Sequence, residues 1–182
     1  MKKFGFPVGP AALLDEVGID VGAHVAEVLG DTFEQRGAKT SKKAAELVEA
    51  GYKGRKNGRG FYKYADGKKK IINREIYSFF GGDSRKEMDD SEIQQRLTLM
   101  MVNEAIYCLQ ENILLSPGDG DLGAILGLGF PPFTGGPFRY ADARGAKELV
   151  DQMNGFAEKF GKRFKPADLL IEKAESDSAF YS

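Results

Sequence analysis

The sequence predicts an all-α fold of two tandem helical repeats, with a small β-hairpin in the connector between them. Three observations lead to this prediction. Most of the 182 residues fall into short amphipathic segments bounded by Gly or Pro. One stretch, residues 52–72, is rich in glycine and alternating aromatic residues, as β-hairpins are. A Gly-Phe-Pro motif with the same downstream Gly-Pro, Asp and Gly occurs twice.

Three short helices are predicted before the hairpin, and each has a start signal. Pro10 favours the first turn of one helix, and Asp20 is a cap residue for the second. Thr40 or Ser41 can begin the third. The first and third helices end at glycine, and the predicted ranges are residues 11–17, 20–33 and 42–50. In the hairpin, residues 61–64 and Ile71-Ile72 are the expected strands, with a turn at residues 65–67.

The second half of the sequence is predicted to form one long helix followed by shorter ones. The long helix covers residues 91–113, and Asp89 with Glu92 resembles a capping box at its start. Its apolar residues recur at steps of three and four, namely Ile93, Leu97, Met100, Met101, Ala105, Cys108 and Leu109. Ser116-Pro117 starts a further helix and Pro137 the next, which Gly145 interrupts; the last two are expected near residues 146–160 and 166–174.

The two repeats are of unequal length. Gly9, Asp15 and Gly18 recur as Gly136, Asp142 and Gly145, always 127 residues later. The second copy has a long and a short helix ahead of its Gly-Phe-Pro motif, whereas the first has four residues there. We therefore expect a first repeat over residues 1–65 that is truncated at its N-terminal side, a connector over 66–89 and a second repeat over 90–182.

Composition excludes several classes of site. With one histidine and one cysteine, a multi-histidine metal site and an internal disulfide are excluded and a zinc cluster is disfavoured, so no metal site is predicted. The net charge of −1 does not favour nucleic acid as a partner. We predict a cytoplasmic protein, because no apolar run reaches the length of a bilayer span and no signal-peptide core is present. His24 is read as a surface or boundary histidine, since a catalytic base needs an orienting partner.

Several motifs have a structural and a functional reading. Residues 118–123 satisfy G-x-G-x-x-G, but a helix precedes them where a dinucleotide site needs a strand, so Asp119 and Asp121 are read as helix-start residues. Asp15 and Asp142 are read as equivalent structural acceptors for the neighbouring Gly-Pro loops, not as an acid–base pair. The basic residues between 53 and 70 could meet coenzyme A phosphates or an anionic membrane, and a solvated loop is the favoured reading. They are Lys53, Arg55, Lys56, Arg59, Lys63, Lys68, Lys69 and Lys70.

Three stretches resemble the C-terminal repeats of 3-hydroxyacyl-CoA dehydrogenases. Residues 4–20 and the segment Gly54-Arg-Lys-Asn-Gly-Arg-Gly-Phe-Tyr62 are similar to the first repeat. Gly127-Leu-Gly-Phe-Pro-Pro-Phe-Thr-Gly-Gly-Pro-Phe-Arg-Tyr140 is similar to the second repeat found in α subunits of the fatty acid oxidation complex. The resemblance implies the fold of 6-phosphogluconate dehydrogenase C-terminal domains. It also implies that NAD and the catalytic residues belong to a Rossmann domain outside these residues, so no catalytic or cofactor-binding residue is predicted here.

The resemblance implies a supporting role in an oxidoreductase. The full-length enzyme would oxidise (S)-3-hydroxyacyl-CoA to 3-ketoacyl-CoA with NAD in fatty acid β-oxidation, and this chain would wall the acyl-CoA cleft and be inactive alone. Leu126 stands where some relatives have an aromatic residue that contacts the acyl chain, so it is the one expected substrate-binding residue. Gln95-Arg96 departs from the Asn-Arg pair that binds substrate in the first repeat of relatives, and its role is not transferred.

Other functions remain open at this point. The alternative is a non-enzymatic helical module that docks a thiolase subunit or a membrane surface. Because the first repeat has no long helix to cover Leu13, Leu14, Val17, Val25 and Val28, we expect either self-association through this face or cover from the connector near residues 76–80.

Overall fold

The computed structural model describes residues 1–38, 41–65, 69–82 and 87–181. The predicted turn at Asp66-Gly67 and the start signal at Thr40 lie outside these residues. Within them the chain is mainly helical, as predicted, with one antiparallel hairpin. The helices are α1 Pro10–Val17, α2 Ile19–Thr32, α3 Lys43–Glu49, α4 Asp90–Gln110, α5 Pro117–Leu128, α6 Pro137–Arg144, α7 Ala146–Phe160 and α8 Asp168–Glu175, and the strands are β1 Tyr62–Ala65 and β2 Lys69–Ile72.

The chain divides into two compact units. Unit 1 comprises Met1–Pro7 and Met88–Ser182, and unit 2 comprises Val8–Glu87. Each has its own cluster of buried apolar side chains.

Helices α1 and α2 of unit 2 meet at one glycine. Gly18 has φ +109°, a conformation that L side chains rarely adopt, and its N–H donates to the Leu14 carbonyl to close α1. The same residue caps the start of α2. The predicted cap, Asp20, therefore lies inside the first turn of α2, where its carboxylate accepts from the Val21 N–H at 3.0 Å.

The core of unit 2 is small and includes part of the connector. Ile19, Leu47, Tyr52 and Ile76 are its buried apolar residues. Ile76 belongs to a 3₁₀ segment, Arg74–Phe80, and this part of the connector packs against α3. It does not cover the predicted face of α1 and α2, which stays largely exposed: Leu13, Val17, Val21, Val25, Val28 and Leu29 are each 44–53% accessible.

The hairpin has a regular register. Tyr62 pairs with Ile72 and Ala65 with Lys69. Beyond the strands, the Asn73 side chain donates to the Gly60 carbonyl at 2.9 Å, and the Asn73 N–H donates to the Phe61 carbonyl at 3.0 Å. These bonds fix the backbone at the start of β1, where Asp15 accepts hydrogen bonds from the Phe61 and Tyr62 N–H groups.

Unit 1 is built around the long helix α4. The Asp89 carboxylate accepts from the Glu92 N–H, which confirms the predicted capping interaction. The prediction of its buried face was only partly right. The fully buried apolar residues are Leu99, Val102 and Ile106, while Leu97 is 38% exposed. Met101, Ala105 and Leu109 are half-buried against the same core.

Asn103 joins α4 to the turn before α8. It is 5% exposed, its side-chain amide donates to the Lys165 carbonyl at 2.9 Å, and its side-chain carbonyl oxygen accepts from the Ala167 N–H at 2.9 Å.

The N-terminal residues complete the core of unit 1, since the Phe6 ring lies edge-on to Phe130 with centroids 5.8 Å apart. The buried side chains of this core are Phe130, Phe138, Leu149, Met153, Phe164 and Leu170, among others.

Candidate functional site

Leu126 lies on the exposed face of α5. It is 76% accessible, and Leu122, one turn earlier on the same face, is 60% accessible. The helix that carries them is well fixed at its start, where the Ser116 hydroxyl accepts from the Asp119 N–H at 3.2 Å, as the Ser116-Pro117 start signal predicted. An aliphatic surface of this kind can contact an apolar ligand and offers no acid–base chemistry.

Asp121 connects α5 to the start of α6. It is 5% exposed, and its carboxylate accepts from the Phe138 N–H at 2.7 Å, the Arg139 N–H at 3.3 Å and the Tyr181 hydroxyl at 2.6 Å. The reading of Asp121 as a start residue of its own helix was therefore wrong. It satisfies the free backbone donors at the N-terminus of α6, where a negative charge is stabilised.

The G-x-G-x-x-G stretch lies within α5, after helix α4 rather than after a strand. A Cβ added at Gly120 would lie 2.4 Å from the Phe138 ring, so this glycine permits close packing of α5 on α6. The residues of this motif do not fit a dinucleotide, because the loop that would surround the pyrophosphate is a helix here.

Asp15 is fully buried and holds the start of β1. Its carboxylate accepts from the Phe61 N–H and the Tyr62 N–H, both at 2.9 Å, and from the Tyr64 hydroxyl at 3.0 Å. Gly60 fits against it so closely that an added Cβ would lie 2.0 Å from the carboxylate. The structural reading of Asp15 is thus correct in kind, but its expected partner, the Gly-Pro loop, is wrong.

Asp142 makes the equivalent contact in unit 1. Its carboxylate accepts from the Phe180 N–H at 2.8 Å and the Tyr181 N–H at 3.0 Å. The expected Gly-Pro partner is wrong here too, and at the N-terminus of α6 that role belongs to Asp121. The sequence does contain a signal for this pair of contacts, because the dipeptide Phe-Tyr occurs at 61–62 and again at 180–181.

Two tyrosine hydroxyls are held protonated: that of Tyr64, which donates to Asp15, and that of Tyr181, which donates to Asp121. Burial, together with the hydrogen bond to Asp121, raises the pKa of Tyr181 to about 12. Burial and the hydrogen bond to Asp15 also raise the pKa of Tyr64. Both tyrosines therefore act as hydrogen-bond donors at neutral pH and are unsuited to act as bases.

The remaining candidates lie at the surface. His24 is exposed on α2, in agreement with its reading as a surface histidine. Among the described residues, no three His, Cys, Asp or Glu side chains are grouped as metal ligands. No helix in the described part of the chain is long and apolar enough to cross a membrane.

Four basic side chains of the 53–70 segment pair with carboxylates of the same unit, whereas Lys68 and the side chains of Lys69 and Lys70 lie outside the described part of the chain. Arg55 bonds Glu16 at 2.9 Å, and Lys56 pairs with Asp20. Lys63 and Arg59 both lie against Glu75. Exposed pairs like these contribute little to stability, but they reduce the positive charge that the segment offers to phosphates or lipids.

Comparisons with known proteins agree with this picture. Residues 1–64 match the family model of the 3-hydroxyacyl-CoA dehydrogenase C-terminal domain. The chain is 49% identical over 182 residues to the fatty acid oxidation complex subunit alpha of Shewanella loihica, and 49% identical over 181 residues to that of Vibrio vulnificus. All of this chain is aligned in both comparisons, and it spans 26% and 25% of those two proteins, about a quarter of their length.

Solved structures show the same fold. The 3-hydroxybutyryl-CoA dehydrogenase of Escherichia coli K12 aligns with a TM-score of 0.69 at 21% identity, over 94% of this chain and 52% of that one. The dehydrogenase part of multifunctional enzyme 1 from C. elegans aligns with a TM-score of 0.67 at 25% identity, over 94% of this chain and 40% of that one. By sequence, residues 1–64 match the C-terminal domain of 3-hydroxyacyl-CoA dehydrogenases, and the chain is similar along its whole length to alpha subunits of the fatty acid oxidation complex.

Proposed function

We propose that the chain serves as the helical C-terminal part of an NAD-dependent enzyme that oxidises (S)-3-hydroxyacyl-CoA to 3-ketoacyl-CoA in the cytoplasm. The observation that carries the proposal is 49% identity along the entire chain to subunits of fatty acid oxidation complexes. Within that enzyme the chain walls the acyl-CoA cleft and stabilises the subunit, with Leu126 presenting an apolar contact to the acyl chain.

The chain's own residues support a non-catalytic role within the enzyme. The carboxylates of Asp15 and Asp121 are occupied by donors of the same unit, and the G-x-G-x-x-G residues do not fit NAD. Hydride transfer needs a cofactor held against the substrate. We therefore assign NAD binding and proton abstraction to a part of the enzyme outside these 182 residues.

We also propose two repeats, over residues 1–65 and 90–182, joined by a connector. The shared Asp contact supports this division, because Asp15 holds Phe61-Tyr62 just as Asp142 holds Phe180-Tyr181. As a partner we propose a thiolase subunit, since the matched relatives are named as the alpha subunits of a complex.

The test is complementation in trans. A relative's alpha subunit that lacks the matching quarter is mixed with this chain, and oxidation of NADH by acetoacetyl-CoA is followed. We expect no turnover from this chain alone and recovery of activity in the mixture, with Leu126→Asp raising KM for long-chain substrates more than for short ones. Turnover by the chain alone that disappears with His24→Ala would contradict the proposal.

A pull-down distinguishes the alternative. A helical interaction module would retain a thiolase subunit whether or not the dehydrogenase activity is restored. Capture of thiolase without any recovery of activity would favour that module over the supporting role in catalysis.

A further inference from the structure

Residues 179–181 of unit 1 contact three different helices, and we call this segment the strap. The Ala179 carbonyl accepts from the Lys173 Nζ of α8 at 2.8 Å. The carboxylate of Asp142 on α6 accepts from the two following backbone N–H groups at 2.8 and 3.0 Å. The Tyr181 hydroxyl donates to Asp121 on α5 at 2.6 Å. One short segment is therefore held by side chains from α5, α6 and α8.

The strap shares its contacts with the joint between α5 and α6. Asp121 of α5 accepts from the Phe138 N–H of α6 as well as from the Tyr181 hydroxyl. The Phe138 ring packs against Gly120 of α5, where an added Cβ would lie only 2.4 Å away. The same ring meets the Phe180 ring edge-on, with centroids 5.2 Å apart. The strap and α5 thus contact the same carboxylate and the same ring.

Helix α5 has little support on its other sides. An apolar cleft of about 320 Å³ separates part of it from α4, with Ala105 and Gly123 among the lining residues. Its outer face carries Leu122 and Leu126, which are exposed. A helix with open space on one side and solvent on another depends on the remaining side for its position. For α5 that side is the joint with α6, which the strap shares.

The strap can detach while the helices stay folded. Residues 175–179, which lead into it, are all exposed, and Asp177 among them has φ +49°. Phe180 and Tyr181 are only half-buried, in contrast to the fully buried Phe138. A segment held by a few hydrogen bonds and ring contacts, with little buried apolar surface, opens more readily than the core of its unit.

We propose that the strap is a conformational device that fastens α5 to α6. While the strap is docked, α5 is fixed; when the strap detaches, α5 loosens and the cleft between α4 and α5 widens. Because such coupling is reciprocal, displacement of α5 must in turn release the strap. The consequence for Leu126 as a contact of the acyl chain rests on the proposed function. The coupling itself does not, and it is measured on this chain alone.

Deletion of residues 179–182 removes the strap, and hydrogen exchange of single amides measures the effect. The amides of residues 121–128 on α5 and of Phe138 should exchange at least tenfold faster. The amides of Leu149 and Met153, in the buried core of α7, should change less than threefold. Equal acceleration of all these amides would show that the segment contributes only to overall stability. That result, or unchanged exchange on α5, would overturn the proposal.

A single hydroxyl provides a milder perturbation. Tyr181→Phe removes the donor to Asp121 and keeps the ring, so the same α5 amides should exchange at least threefold faster. Tyr140→Phe is the matched control, since it removes a hydroxyl whose partner, Arg144, belongs to the same helix α6. It should leave the α5 amides within twofold of the parent chain. Equal rates in the two variants would contradict a hold on α5 through Tyr181.

Two alanine variants of α5 test the reciprocal effect. Gly120→Ala forces a Cβ against the Phe138 ring, whereas a Cβ at Gly123 meets no atom within 4 Å. Gly120→Ala should speed exchange of the Phe180 and Tyr181 amides at least fivefold relative to the α7 core, and Gly123→Ala should leave them within twofold. If both variants act alike on these two amides, or if neither changes them, α5 and the strap are not coupled and the proposal is overturned.

Discussion

Replacing Asp15 with alanine should destabilise unit 2 more than any surface substitution. The carboxylate is fully buried and is the acceptor for the Phe61 N–H, the Tyr62 N–H and the Tyr64 hydroxyl. Asp15→Ala removes the acceptor and leaves all three donors in place. The two N–H groups belong to backbone that the Asn73 side chain also holds, so they cannot easily turn toward water.

The magnitude follows from those donors. A hydrogen bond to a charged group contributes about 1.5–3 kcal/mol, and a buried donor without a partner costs about 1–3 kcal/mol. Three bonds to one carboxylate are not additive, and the half-buried Tyr64 can rotate toward solvent. We therefore expect a loss of about 3–5 kcal/mol, as is typical when one partner of a buried charged contact is removed. With four buried apolar side chains among its described residues, unit 2 has little stability in reserve.

Guanidinium unfolding measures the total loss in the free energy of unfolding. Hydrogen exchange of the Phe61 and Tyr62 amides shows whether that loss arises in unit 2. Asp142→Ala is the matched comparison, because Asp142 holds an equivalent Phe-Tyr pair but is only half-buried and accepts from two backbone donors. It should cost about 1–2 kcal/mol. A loss below about 1 kcal/mol for Asp15→Ala, with unchanged exchange at Phe61 and Tyr62, would refute the reasoning.

Three further outcomes are expected. Because the folded-state pKa of Tyr181, about 12, lies above its ordinary value of 10.0, the stabilisation from its hydroxyl is complete below pH 10 and is lost as the pH rises through 12. The thermal midpoint should fall over that window, and Tyr181→Phe should flatten the fall; an identical pH profile for the variant would count against this. Asn103→Asp replaces the donor to the Lys165 carbonyl with a carboxylate oxygen and should cost about 1–3 kcal/mol, while Asn154→Asp, at an exposed position, should stay within about 0.5 kcal/mol. Sedimentation equilibrium at micromolar concentration should show self-association through the exposed α1–α2 face that Val25→Glu weakens, and a strictly monomeric parent chain would contradict it.

The helices could be predicted from the sequence because their signals act within one turn of chain. Pro10 and Gly18 bound α1, and Ser116-Pro117 starts α5, as expected. A proline lacks the donor that a first turn leaves free, and a glycine adopts the positive φ that ends a helix, whatever surrounds them. Leu126 was singled out by the resemblance to relatives and not by a local signal, and its exposure came from the structure.

The tertiary contacts could not be predicted in the same way. Asp15 meets Phe61 across 46 positions and Asp142 meets Phe180 across 38, and nothing local specifies either partner. On α4, apolar residues occupy two adjacent stripes, and the periodicity does not say which one faces the core. The buried stripe includes two polar residues, Thr98 and Asn103, which weakened its signal relative to the half-exposed one.

The shared contact explains why an Asp follows the Gly-Pro start of both α1 and α6. Asp15 on α1 and Asp142 on α6 follow the Gly-Pro start of their helices, and each carboxylate accepts two consecutive N–H groups from a Phe-Tyr dipeptide far along the chain. Such a contact ties each Phe-Tyr dipeptide to the short helix that carries the Asp. These donors hold both carboxylates against backbone of their own unit, whereas a general base must face the proton that it removes from the substrate. Asp15 and Asp142 therefore act as structural acceptors that hold distant backbone in place.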